Sequence, residues 1–534
     1  MITAMMGRSL KLAGLLLLCA PFPTIAADLV VLSVEPAARS MTGEVDAPIV
    51  IHFDKAVDPA SVVLLDSIWA FGRWSGTVQG TLGFSDGNQT VTLTPSKPLS
   101  AGEVVMVILS HDITAMDATT LRPGGYSFQF WTKVGRSPMD FALFDTLNVR
   151  GIDGNHTQAY GGFATDLNGD GFLDLSIVNE ITADLRVFMN QADNSGLFND
   201  FLDPPFAIGN RASPSEPTDF DRDGHADVCV ANIDDGTISV LLGNGDGTFA
   251  AQQLITVGSQ PRGIAVLDVD GDGDMDIVNT NAGSSSLTLM YNDGTGSFGP
   301  SSSFDAGNAG EWALAAGDMN QDGLLDLVVG GGSSPYAVVV NTANGDGTFS
   351  LASSTPNGGR VWMLVCGDVD GNGTEDVAAV NQTLDQGQIL RGDGMGNLAA
   401  PQNYFVENFP IATDLGDLDG DGDLDWVTSS FNTGQIFNPG EWSIMRNNGG
   451  GVFFVAENID APRAGSCALL FDSDNDGDLD LAVIDEITDQ VLLLKNSGTV
   501  FVPTVSQWGL IVLGIALLVF GSIITKRRRA RSSL

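Results

Sequence analysis

Nine residues, Asp268-Val-Asp-Gly-Asp-Gly-Asp-Met-Asp276, constrain this chain more than any other stretch. Five carboxylates crowd into them. Two carboxylates roughly 5 Å apart repel by about 3 kcal/mol at an effective dielectric of about 20. A solvated turn would spread them, whereas a hard divalent cation holds them together. Positions 1, 3, 5 and 9 offer the side-chain oxygens of a calcium loop and position 7 a backbone carbonyl. Gly273 at position 6 permits the sharp turn.

The nonapeptide occurs seven times, starting at Asp166, Asp219, Asp268, Asp318, Asp368, Asp417 and Asp472, with spacings of 53, 49, 50, 50, 49 and 55 residues. Each copy has Asp at positions 1 and 9, Asp or Asn at 3 and 5, Gly at 6 and an apolar residue at 10. Seven copies in register define a repeat architecture. The expected ligands in the first two copies are Asp166, Asn168, Asp170, Asp174 and Asp219, Asp221, Asp223, Asp227. In the next two they are Asp268, Asp270, Asp272, Asp276 and Asp318, Asn320, Asp322, Asp326. The last three offer Asp368, Asp370, Asn372, Asp376; Asp417, Asp419, Asp421, Asp425; and Asp472, Asp474, Asp476, Asp480. Up to seven structural Ca2+ ions are thus expected, with weaker binding where only three of the four ligands are carboxylates.

An EF-hand needs an acidic residue at position 12 and flanking helices. Here position 12 is Ile177, Val230, Asn279, Val329, Ala379, Thr428 or Val483, and the flanks have strand periodicity. Each repeat reads as an apolar strand into the loop (Gly263–Leu267), one out of it (Asp276–Thr280) and a third (Leu287–Tyr291). A Gly-rich turn ending in Phe follows, as in Gly243-Asn-Gly-Asp-Gly-Thr-Phe249, and then a fourth strand. Four strands per repeat and seven repeats predict a seven-bladed β-propeller over residues 138–501, in which radial closure protects the sheet edges. The Asp-x-Asp-x-Asp-Gly-x-x-Asp loop and the Gly-Asp-Gly-Thr-Phe turn resemble the FG-GAP or VCBS repeats of the integrin α-subunit propeller. That resemblance implies the fold and leaves ligand and activity open.

The last repeat stops at Phe501 before a full fourth strand, and an orphan strand, 140–148, precedes the first loop. Residues 140–148 are therefore expected beside 490–496. Six residues before each first Asp, toward the face away from the loops, stand Tyr160, Ser213, Arg262, Trp312, Trp362, Ile411 and Ser466. Tyr, Trp and Arg suit a recognition surface for a protein or glycan, with Trp312, Trp362 and Arg262 as candidates; packing of strand ends around a channel is the alternative.

Residues 1–27 read as a secretory signal: Arg8 and Lys11, an apolar core from Leu12 to Ala20, then small residues. Residues 28–135 alternate apolar and polar between turn signals, as a β-sandwich does. Val34-Glu-Pro36, Phe53-Asp-Lys-Ala-Val-Asp58 and Pro98-Leu-Ser-Ala-Gly102 resemble the bacterial (SbsA-type) Ig-like domain of surface-layer proteins. This implies a spacer or binding module. Residues 502–534 carry Val502-Pro-Thr-Val-Ser-Gln-Trp-Gly509, an uncharged apolar run over 509–525 and the basic cluster Lys526–Arg531. That order resembles the IPTL-type sorting tail of Gram-negative bacteria. It implies one transmembrane helix, an exosortase-like processing enzyme and delivery to the cell envelope; a permanent single-pass anchor is the alternative.

The net charge of −42 argues against nucleic acid as a partner. The nonapeptides hold 29 of the 66 acidic residues, so much of that charge is local. Cys229, Cys366 and Cys467 stand alone in apolar contexts and read as buried hydrophobes. Four histidines and no Gly-x-Ser-x-Gly or His-Glu-x-x-His leave no recognisable catalytic constellation. The sequence therefore reads as an all-β, exported, calcium-binding protein for adhesion or ligand binding and not as an enzyme. A carbohydrate-active enzyme on the same scaffold and a purely structural surface protein are the alternatives.

Overall fold

The computed structural model describes residues 28–151, 154–432 and 440–496. The expected signal segment (1–27), sorting motif and membrane span (502–534) lie outside the described residues. Among the described residues there is no α-helix, and no helix is long and apolar enough to cross a membrane. They form nine four-stranded sheets, two in the N-terminal unit and seven in the repeats.

In the N-terminal unit, one sheet orders Val31–Glu35, Ile49–Phe53, Thr90–Pro95 and Gly80–Ser85. The other orders Gly76–Thr77, Ile68–Gly72, Val104–Leu109 and Tyr126–Trp131. Alternate residues fill the space between them: Ile49, Ile51 and Phe53 share a core with Ile68, Ala70, Val105 and Val107, as period-two side chains of stacked sheets do.

Each repeat is an antiparallel four-stranded sheet with its strands in chain order, except the last. The first strands are Ala159–Thr165, Ala212–Thr218, Pro261–Leu267, Glu311–Gly317, Val361–Gly367, Pro410–Gly416 and Gly465–Phe471. Each runs into a nonapeptide, and the second strand starts at that loop's ninth residue. All seven second strands are buried along their whole length. The apolar residue at position 10 (Leu175, Val228, Ile277, Leu327, Val377, Trp426, Leu481) anchors each in the core. Fourth strands such as Gln253–Thr256 and Gln402–Phe405 lie largely exposed.

Neighbouring sheets pack face to face. Leu267, Val278 and Leu289 of the third share a cluster with Leu327, Val329 and Val339 of the fourth. The seventh shares its cluster with both the sixth and the first. First strands of successive sheets lie beside one another, and Gly465–Phe471 lies beside Ala159–Thr165. The last sheet takes its fourth strand from ahead of the first repeat. Phe141–Asn148 pairs antiparallel with Gln490–Asn496, from Asn148 opposite Gln490 to Phe141 opposite Asn496, as expected from the orphan strand.

The run Ile68-Trp-Ala-Phe71 is apolar on both faces, and both faces are covered. Trp69, Phe71 and Ile108 point away from the sandwich core into a cluster with Phe220, Ile264 and Met275 of the repeats. Trp131 packs with Val369, Leu415 and Trp426. The sandwich therefore sits on the nonapeptide side of the repeats, where the sequence suggested only a spacer or binding module. Arg73 extends from it between the first strands. Its Nη2 lies 4.0 Å from Glu216 Oε2 and its Nη1 4.0 Å from Asp414 Oδ1. All three line a partly open cavity of about 210 Å3 with apolar walls that include Met106, Met275 and Met363.

Candidate functional site

The nonapeptides share one hydrogen-bond scheme. The backbone N–H of the position-6 glycine donates to the position-1 carboxylate in all seven, at 2.7–3.1 Å. Those glycines have φ between 77° and 94°, where a side chain is strained. Position 5 accepts from the N–H of position 7 in each loop.

The position-9 carboxylate carries two backbone hydrogen bonds. Its Oδ2 accepts from the N–H of position 2: Leu167, Phe220, Val269, Met319, Val369, Leu418 and Ser473. Its Oδ1 accepts from a residue just past the third strand or at its end: Asn190, Gly243, Asn292, Ala343, Gly392, Asn447 and Asn496. Each of these aspartates therefore ties the loop to the neighbouring hairpin. That second partner, distant in sequence, was not legible from the repeat.

In five loops the carboxylates at positions 1, 3 and 9 converge, with one oxygen from each within 4.8 Å of the others. They are Asp219, Asp221, Asp227; Asp268, Asp270, Asp276; Asp368, Asp370, Asp376; Asp417, Asp419, Asp425; and Asp472, Asp474, Asp480. The expected position-5 carboxylates, Asp223, Asp272, Asp421 and Asp476, fall outside these sets. In the other two loops Asn168 and Asn320 replace the third carboxylate and turn their amide N–H groups to Asp170 and Asp322. Burial, with neighbouring carboxylates adding to it, pushes the position-9 carboxyls up. They reach about 7 at Asp174, Asp326 and Asp376 and about 8 at Asp227 and Asp425. Asp270 Oδ1 and Asp474 Oδ1 are buried without a hydrogen-bond partner. An all-oxygen set of this charge fits a hard divalent cation such as Ca2+.

The triads are not equivalent. Arg391 pairs with Asp370, Lys495 with Asp474, and Arg446 with Asp419 at 3.2 Å. Each base immediately precedes the residue whose N–H reaches the position-9 carboxylate. In the loops starting at Asp219 and Asp268 that place holds Leu242 and Tyr291. Sequence reading overlooked these bases, although two of the three stand 15 residues after the ninth position.

At the opposite ends of the first strands, all seven face residues sit in a β-bulge. Bulges re-aim side chains. Trp312 and Trp362 have ring centroids 5.0 Å apart, and Phe409 continues the stack 5.4 Å from Trp362. Arg262 and Arg360 place their guanidiniums 4.2 and 4.6 Å from the Trp312 ring centre. Trp362 Nε1 donates to the Tyr160 hydroxyl at 2.9 Å, across to another sheet. Gln158 Nε2 bridges Glu180 and Glu486, and burial with the nearby Glu180 charge pushes Glu486 up to about 8. Ser213, Ile411 and Ser466 stay buried and do not join this cluster.

A family model for FG-GAP-like repeats matches residues 166–230, 219–279, 278–329, 318–379 and 417–483, more than half of the chain and all seven nonapeptides. The chain belongs to the FG-GAP-like repeat family. A bacterial Ig-like domain matches residues 26–132, in agreement with the observed sandwich. Together the two modules suggest an extracellular or surface protein. No curated protein matches the chain. Among solved structures, a lectin from Agrocybe aegerita that recognises non-reducing terminal N-acetylglucosamine is 17% identical. That likeness covers 76% of this chain and 93% of the lectin, with a TM-score of 0.40. A catalytically inactive virginiamycin B lyase from Staphylococcus aureus is 14% identical over 67% of this chain and 99% of its own, with a TM-score of 0.44. A putative 6-phosphogluconolactonase from Bacteroides uniformis is 14% identical over 75% and 98%, with a TM-score of 0.42. Likenesses this low carry no argument about ligand or activity.

Proposed function

We propose that this is an exported, calcium-stabilised surface protein that binds a protein or glycan ligand. In this reading the seven sheets are the blades of a closed β-propeller covering residues 138–501. Ca2+ fills the nonapeptides through positions 1, 3, 5 and 9, with position 5 moving in as the cation binds. The ion offsets carboxylate repulsion and fixes the first hairpin of each blade. A signal at 1–27 directs export, and the tail at 502–534 spans the membrane through 509–525. An exosortase-like enzyme then sorts the protein to a Gram-negative cell envelope.

The observation that carries ligand binding is the cluster at the bulged strand ends. Seven repeats bulge at one place, and four of them bring Tyr160, Arg262, Trp312 and Trp362 together, half-buried, beside Arg360. Aromatic and arginine side chains gathered at one exposed mouth are what recognition surfaces use. The test is a screen of glycans and envelope proteins against the immobilised chain in calcium, with turnover monitored alongside retention. A ligand should bind without being consumed, and Trp362→Ala with Arg360→Ala should abolish binding while the circular dichroism of the sheets persists. A binder unaffected by both substitutions overturns this site, and turnover would favour the carbohydrate-active enzyme. Intact-mass analysis of the mature protein tests the tail, because a retained C-terminal peptide counts against sorting.

A further inference from the structure

We propose that the metal loops are the docking face of the chain's own Ig-like domain, and that metal occupancy controls that docking. The inference rests on the reading that the nonapeptides bind calcium. It goes beyond it, because the loops then hold two domains together as well as shaping their own hairpins.

The coupling runs through the planar peptide that joins positions 6 and 7. Its N–H, that of position 7, donates to the position-5 side chain, an expected ligand. Its carbonyl, on the far side of the same rigid peptide, receives the Ig-like domain. Trp69 Nε1 donates to Gly273 O at 2.8 Å, and the Ser127 N–H to Gly323 O at 2.9 Å. Arg39 Nε donates to Gly373 O at 3.0 Å, and the Gly135 N–H, just past the sandwich, to Gly477 O at 2.6 Å. Two contacts reach the expected ligands themselves. Thr77 Oγ1 donates to Asp219 Oδ2 at 2.6 Å, and Arg39 Nη1 to Asp318 Oδ2 at 3.2 Å.

A planar peptide cannot move its N–H without moving its C=O. A cation that holds the position-5 ligand therefore fixes the acceptors on which the Ig-like domain rests. Without the cation, the gathered carboxylates repel and the loops relax, and several acceptors shift at once. The cavity side adds a second latch, Arg73 between Glu216 and Asp414. Undocking withdraws Arg73 and leaves those two carboxylates facing the emptied cavity.

Thermodynamic coupling is reciprocal: if metal favours docking, weakened docking must weaken metal binding. The test is calorimetric calcium titration of the full chain, wild type against Trp69→Phe and Arg73→Met. Each variant removes an interdomain contact and leaves every nonapeptide residue in place. Both should bind calcium with an apparent affinity about fivefold weaker, the scale of one lost hydrogen bond. In parallel, spin labels at Ala60→Cys and Gln402→Cys should move apart on chelation while the circular dichroism of the sheets persists. Unchanged calcium affinity in both variants overturns the proposal, as does a fixed label distance with intact sheets in chelator. A chain that takes up no calcium at all overturns the metal reading beneath it, which separates the two failures.

Discussion

Asp270→Asn is expected to change the sign of its effect with calcium. Asp270 places an oxygen within 4.8 Å of one from Asp268 and one from Asp276. At that separation and an effective dielectric of about 20, each pair repels by about 3 kcal/mol. Burial pushes the carboxyls of both Asp268 and Asp276 well above the usual carboxylate range, which relieves part of this repulsion in the metal-free protein, so about 3 kcal/mol is the most that remains. Asparagine keeps the shape and removes the charge. Asp270 Oδ1 has no hydrogen-bond partner to lose. In excess chelator the variant should therefore melt above the wild type, by up to about 3 °C at roughly 1 °C per kcal/mol for a chain of this size. In saturating calcium it loses a charged ligand. A tenfold weaker loop contributes about 1.4 kcal/mol less, and the variant should melt about 1 °C below the wild type. Differential scanning calorimetry of both proteins in both buffers is the assay. A shift of the same sign with and without calcium refutes the reasoning, because a turn that only tolerates acidic residues gains from the substitution everywhere.

Three further outcomes follow from the same geometry. In chelator, stability should fall as pH rises from about 4 to about 8. The carboxyls of Asp227 and Asp425 sit at about 8 in the fold, above their unfolded value of about 3.9. The stabilising protonated form is thus full below the unfolded value and lost as pH climbs through the folded one. Urea midpoints across that range should show the slope, and saturating calcium should flatten it. Gly422→Ala should cost about 1–2 kcal/mol through backbone strain alone. Gly422 has φ of 94°, and a Cβ there meets nothing within 4 Å; a neutral urea midpoint would contradict this. Arg391→Met should tighten calcium binding at the loop starting at Asp368 by removing the base that holds Asp370; titration calorimetry would reveal an unchanged affinity as a failure.

What the sequence determined by itself is local. The nonapeptide dictates its own turn, because its glycine and the hydrogen bonds from positions 2, 6 and 7 to its side chains at 9, 1 and 5 lie within nine residues. Period-two alternation dictated strands, and the fifty-residue spacing dictated that they recur as equivalent sheets. The short seventh repeat and the orphan strand even announced the pairing of Phe141–Asn148 with Gln490–Asn496. What only the tertiary structure decided lies between residues far apart in the chain. The run Ile68–Phe71 states that both faces of its strand are covered, but an apolar face does not say by what. Arg391, Arg446 and Lys495 reach into the triads, Arg73 meets Glu216 and Asp414, and Trp362 meets Tyr160 two hundred residues away. Such partners are chosen by the packing of finished faces against one another, and no short-range pattern in the chain encodes that choice.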